Sequence, residues 1–144
     1  VKLKLNIDEL TEDFFTDTRL LGIIATAKNY QFCWQLNHSL GYNFRLNPEI
    51  EIHLRKKDRS YFFPVYQHEV RNSFLCHYLY RNHCDGEYLL PEFRHMDFLW
   101  LIKGDCIDEE QSRHLIQCLK SINGVQMVAE LTNEKIKNKG HLIF

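Results

Sequence analysis

Five consecutive apolar residues, Phe98-Leu99-Trp100-Leu101-Ile102, stand between Asp97 and Lys103. A strand sends successive side chains to opposite faces, so a run that is apolar in both registers must be covered on both sides. The run predicts a central strand with a packed layer on each face. A chain of 144 residues can supply those layers from one domain.

The remaining elements arrange themselves around that strand. Val1, Leu3, Leu5 and Ile7 alternate with Lys2, Lys4 and Asn6, the period of a half-buried strand, and Thr11 to Phe15 reads as a connector. Leu20 to Ala25 is a second apolar run and predicts another buried strand, although periodicity also allows a helix in so short a stretch. Lys28 to Leu40 predicts a helix, with Phe32, Cys33, Leu36 and Leu40 on one stripe and Gly41 as its stop. Ile50, Ile52 and Leu54 alternate with Glu51, His53 and Arg55, and a charged turn over Arg55 to Arg59 leads into Tyr61 to Tyr66. Pro64 cannot donate to a ladder, so its strand is expected at an edge or at a bulge. Phe74 to Tyr80 predicts a further strand, Asp85-Gly86 is a hairpin signal, and an antiparallel meander accounts for this middle region.

After the central run, Asp108 and Gln111 have the spacing of a capping box. Leu115, Leu119 and Ile122 form the buried stripe of that helix, Gly124 ends it, and Val125 to Leu131 follows as an amphipathic strand. Strand, helix and strand in this order make a βαβ unit. Leu142-Ile143-Phe144 is expected to dock or pair. The fold class expected is α+β: a mixed, mostly antiparallel sheet with two main helices on one face, ferredoxin-like or ACT-like with extra strands, in one domain over residues 1–144.

Composition narrows the function. A formal net charge of -1 gives no general pull toward nucleic acid or acidic lipid, so neither partner is expected. The first residues carry no continuous apolar leader segment, and no run approaches the roughly 18 apolar residues of a membrane span. Five cysteines, an odd number with no CxxC pair, fit reduced thiols in a cytoplasmic protein better than a disulfide framework.

The segment Leu90-Pro91-Glu92-Phe93-Arg94-His95-Met96-Asp97-Phe98 resembles the signature of the IPExxxVDY family, with Leu90 in place of Ile, Met96 of Val and Phe98 of Tyr. The likeness extends to Leu20-Leu21-Gly22-Ile23, Leu36-Asn37, Leu40-Gly41 and Phe63-Pro64-Val65-Tyr66. It also includes the closing Ile136 to Phe144, where His141 stands in the family's Asn place. The resemblance implies a small cytoplasmic protein of the Bacteroidetes; it brings no activity and no catalytic residues.

Glu92 and Asp97 are the candidate binding or catalytic pair, since two carboxylates in split environments can divide acid and base duties. Local chemistry offers a structural role instead. Pro91 presets the first position of a helical turn, Glu92 suits the positive end of that turn, and Asp97 can bond amides left free where the turn enters the strand. Cys76, His77, His83 and Cys84 have metal-ligand chemistry, but neighbours on a strand face apart, so no metal and no cofactor is expected. Neither a GxSxG elbow nor a GxGxxG or GxxxxGK[ST] phosphate loop is present. Tyr78-Leu79-Tyr80-Arg81 could stack bases on an open sheet face, or simply be good strand formers. Arg55 to Arg59 reads as a solvated hairpin tip.

These features lead to the expectation of a non-enzymatic cytoplasmic binding or interaction module, with a protein partner or a second copy (a homodimer) as its ligand. One alternative is an ACT-like small-molecule sensor, favoured by an apolar cleft with a few convergent polar groups. The other is a small enzyme using Glu92, Asp97 or a histidine, favoured by a shifted group in a cleft with a partner in hydrogen-bond reach.

Overall fold

The computed structural model describes residues 14–104, 107–132 and 135–144. The strand expected over Val1 to Ile7, the first part of the connector and Cys106 lie outside the described residues. The described chain runs β1 (Arg19–Ala25), α1 (Asn29–Leu40), β2 (Arg45–Lys56), β3 (Arg59–Glu69), β4 (Cys76–Arg81), β5 (His83–Cys84), β6 (Glu87–Tyr88), β7 (Phe98–Lys103), α2 (Glu109–Lys120) and β8 (Val125–Leu131). Short 3₁₀ turns cover Pro91–Phe93 and Lys139–Leu142.

The central apolar run is β7, and Phe98 to Ile102 are all buried. It lies in a six-stranded sheet ordered β2-β3-β4-β7-β1-β8, in which every neighbouring pair is antiparallel. β7 and β8 are joined by α2 yet sit on either side of β1, and β1 and β4, joined through α1, sit on either side of β7. Two such interleaved split βαβ units define a ferredoxin-like α+β sheet. Here the hairpin β2–β3 is inserted between α1 and β4 and widens the sheet beyond β4.

Each helix buries its stripe on the same face. Leu21 and Ile23 of β1 and Phe98, Trp100 and Ile102 of β7 meet Phe32, Cys33 and Leu36 of α1 and Leu115 and Leu119 of α2. The capping box is formed: Asp108 Oδ1 accepts from the Gln111 amide at 2.8 Å, and Gln111 Oε1 accepts from the Asp108 amide at 3.0 Å. Gly41 ends α1 in the left-handed region, φ 76°, where a Cβ would be strained. The opposite face is covered by irregular chain instead of helix. Leu89, Leu90, Phe93 and Met96, together with Ile136 and Leu142 of the tail, close over Phe63, Val65, Tyr80, Leu99 and Leu101. Burying a leucine or phenylalanine side chain contributes about 1.5–3 kcal/mol, so this loop-built layer is a true second core.

Of the two places expected for Pro64 the bulge is realised, and one local reading, that of Phe74, changes. β3 is an interior strand, between β2 and β4; among the described residues the sheet edges are β2 and β8. Pro64 is accommodated by the bulge: the β2–β3 register shifts between Leu46 and Glu51, next to the Glu51–Pro64 pair, and pairing with β4 begins only at Val65. Phe74, expected in β4, precedes it and is almost fully exposed. The β2–β3 hairpin turns on two residues, Lys57 and Asp58, both at positive φ (51° and 60°). This turn lacks the glycine that the Asp85-Gly86 hairpin of β5–β6 uses.

Candidate functional site

The motif loop is built around one buried side chain, Asn82. Its Nδ2 donates to the carbonyls of Phe93 at 2.9 Å and Met96 at 3.0 Å, and its Oδ1 accepts from the Leu90 amide at 2.8 Å. Its own amide donates to Asp97 O and its carbonyl accepts from the Leu89 amide. A loop over a sheet face leaves backbone groups that no ladder can satisfy, and a buried carboxamide, with donors and an acceptor together, satisfies several at once. Pro91 takes the first position of the 3₁₀ turn, as expected.

Glu92 stands in the first turn, as expected, and also reaches beyond it. Its Oε2 accepts from the amides of Lys137 and Asn138 at 2.7 and 2.8 Å, and both carboxylate oxygens accept from Asn138 Nδ2. Burial alone pushes the Glu92 carboxyl up, but the Asn138 side chain, the Glu92 amide itself and the two tail amides outweigh it and hold it below the usual range. His141 follows on the same tail: its Nδ1 lies 2.7 Å from Leu89 O and, facing a carbonyl, must be the protonated nitrogen. Tyr80 Oη donates to Leu142 O at 3.0 Å.

Asp97 sits where expected, at the entry to β7. Its Oδ2 accepts from the Ala25 amide at 3.0 Å, beside the register shift between Ile24 and Ala25 in the β1–β8 ladder. Its own amide donates to Ile23 O at 2.8 Å. The two candidate carboxylates therefore bind different segments, the tail and β1. Met96 reaches Gly22, where an added Cβ would stand 2.9 Å from its sulfur, so β1 needs a glycine under the motif.

The cysteine–histidine set is dispersed. Cys76 belongs to the tail face and His77 to the helix face, where His77 Nδ1 accepts from Trp100 Nε1 at 2.9 Å. His83 accepts from the Gly86 amide within its own hairpin. Among the described residues no group of three or more His, Cys, Asp or Glu is placed to hold a metal ion. Burial drives the Cys33 thiol up to about 12 and raises that of Cys76, so neither is poised as a thiolate. The tyrosines proposed to stack bases are engaged elsewhere: Tyr80 is fully buried and Tyr78 packs on Phe144 with centroids 4.7 Å apart. Arg81 donates to Ala27 O and lies over the Phe98 ring.

An open cleft of about 980 Å³ lies at the end of β3 and the start of β4, lined among others by Arg45, Asn47, Gln67, Glu69, Arg71 and Cys76. Gln67 ties it together, accepting from Asn47 at 2.8 Å and donating to Glu69 at 2.9 Å and to Cys76 sulfur at 3.2 Å. Its walls are more polar than apolar, although Leu46, Val70, Phe74 and Leu75 also line it, whereas a mainly apolar cleft favours a small-molecule sensor. Asn82, the residue that organises the motif, is not marked by any spacing in the sequence, because its partners lie 8 to 14 residues ahead.

On the helix side of β2 and β3, Glu51, His53, Arg55 and Phe62 are all exposed. His53 and Phe62, directly paired across the two strands, stack with centroids 4.5 Å apart. Among the described residues no further strand of the sheet lies beyond β2. No protein-family model matches this chain, and no curated protein matches it. Among the described residues, no helix is long and apolar enough to cross a membrane.

Proposed function

We propose that this protein is a non-enzymatic, cytoplasmic binding module that engages a protein partner through the free edge of β2. The observation that carries the reading is β2 itself: a twelve-residue edge strand flanked by an uncovered sheet face on which Phe62 stays 51% exposed. An edge strand offers backbone donors and acceptors to an added strand, and flanking side chains then supply selectivity. The motif carboxylates suit this reading, because Glu92 and Asp97 are occupied by backbone amides and leave the β2 edge to do the binding.

We place the chain with the IPExxxVDY proteins on the same footing. Support comes from how the resembling segments meet: Glu92 binds the tail at Lys137 and Asn138, His141 binds Leu89, Met96 packs over Gly22, and Asp97 holds Ala25. Residues that spell the signature in separate stretches thus form one connected unit.

Native mass spectrometry of the protein purified from its own host, without chelator or denaturant, tests the function. The expected spectrum shows a protein assembly with no retained small mass. A stoichiometric metal or small molecule on a lone chain overturns the reading in favour of a sensor or an enzyme.

A further inference from the structure

The side chains along the outer half of β2 form a self-complementary series. From Glu51 to Lys56 the strand is regular against β3, beyond the shift near Leu46. Ile52 and the half-buried Ile50 and Leu54 belong to the tail-side core, while Glu51, His53 and Arg55 stand exposed on the helix side. Glu51 and Arg55 are in no ion pair among the described residues.

We infer that a second copy of this chain pairs with the β2 edge, antiparallel, with His53 on the twofold axis. In that register Glu51 faces Arg55 of the partner subunit, and Arg55 faces the partner's Glu51, so two cross-strand ion pairs form with no like-charge contact. Ile52 meets the partner's Leu54 on the other face, and Leu54 meets the partner's Ile52. His53 meets its own copy, so the stacked Phe62–His53 pair continues into the same pair of the neighbour, as a row of four rings across the joined sheets. This gives Phe62 a reason to be apolar on an open face. An isologous contact of this kind closes at two copies and cannot propagate. The register shift and Pro48 in the other half of β2 confine pairing to this stretch. The opposite edge fits less well: β8 is shorter, and its ladder with β1 breaks between Ile24 and Ala25.

This proposal rests on the reading of β2 as the binding edge and adds its occupant. The test uses charge reversal at two exposed positions, followed by sedimentation velocity over a concentration series. Glu51→Arg alone and Arg55→Glu alone each place like charges opposite one another twice, and each should weaken self-association by about tenfold or more. Mixing the two variants restores complementarity in the heterodimer, as does the double variant with itself, and both should associate like the native chain. A native dimer indifferent to both reversals overturns this register. A native chain that stays monomeric at every concentration, yet leaves its host bound to another protein, overturns the second copy while the edge-binding reading stands. A monomer carrying a small molecule overturns both.

Discussion

The carboxylate of Glu92 holds Asn138 at three points, accepting from its backbone amide at 2.8 Å and from its side-chain nitrogen at 3.1 and 3.2 Å. These contacts span 46 residues of sequence and fasten the tail over the loop-built core, where Leu142 is fully buried. The motif therefore acts at long range, and its substitutions should show first in the tail.

Replacing Glu92 with alanine should lower stability by about 1–2 kcal/mol, the scale of a lost charge-assisted hydrogen bond in a partly exposed place. Amide exchange at Lys137 and Asn138 should accelerate with it. Since the folded carboxyl is held below its ordinary value, its contribution is present above that value and fades as pH falls through the lowered one. Equilibrium denaturation at neutral and acid pH checks both signs, and the variant should lose part of the acid dependence.

Asp97→Ala should cost about 1 kcal/mol, the value of a cap-like bond from a side chain to one amide. Its signature is local: faster exchange of the Ala25 amide, with exchange at Asn138 unchanged. The contrast with Glu92→Ala separates the two carboxylates, which bind different segments.

Asn82→Ala should be the most damaging of the motif substitutions, at roughly 3 kcal/mol or more, because it strands the Leu90 amide and removes the donor to two buried carbonyls. Asn82→Asp should not rescue it, since a carboxylate cannot donate to Phe93 O and Met96 O. Thermal melts of the two variants beside the native chain measure this.

His77 gives a prediction in pH. Burial, reinforced by His68, lowers it from 6.5 to about 4 in the folded protein. Between those values the unfolded chain binds a proton that the folded chain refuses. Stability should therefore fall as pH drops below about 6.5 and level off near 4, by roughly 3 kcal/mol in all. His68, also lowered by burial, adds to the same limb. In His77→Gln, whose side-chain oxygen can still accept from Trp100, most of that slope should vanish.

Much of the fold is legible in the sequence because its signals are local. The doubly apolar run of β7, the capping box of Asp108 and Gln111, the stripe of α1 ending at Gly41 and the Asp85-Gly86 turn each depend on neighbours within a few residues. Asp97 lies at the expected junction, but the amide its carboxylate accepts from, that of Ala25, is 72 residues away. What escaped depends on distant chain. Glu92 stands in its own turn as the spacing predicts, but the tail amides it also binds lie 45 and 46 residues away. Pro64 can be tolerated at an edge or at a bulge, and only the strand order decides between them. Tyr78 and Tyr80 read as open-face aromatics until the tail covers them. The turn at Lys57-Asp58 falls within the expected Arg55 to Arg59, but with no glycine there its two positive φ angles are not announced.

Hydrogen–deuterium exchange followed over protein concentration tests the central claim, that the β2 edge is where this molecule binds, most directly. Protection should rise with concentration at Glu51 to Lys56 and leave Val125 to Leu131 unchanged. Protection that grows along β8 while β2 keeps its dilute-solution rates would contradict the account.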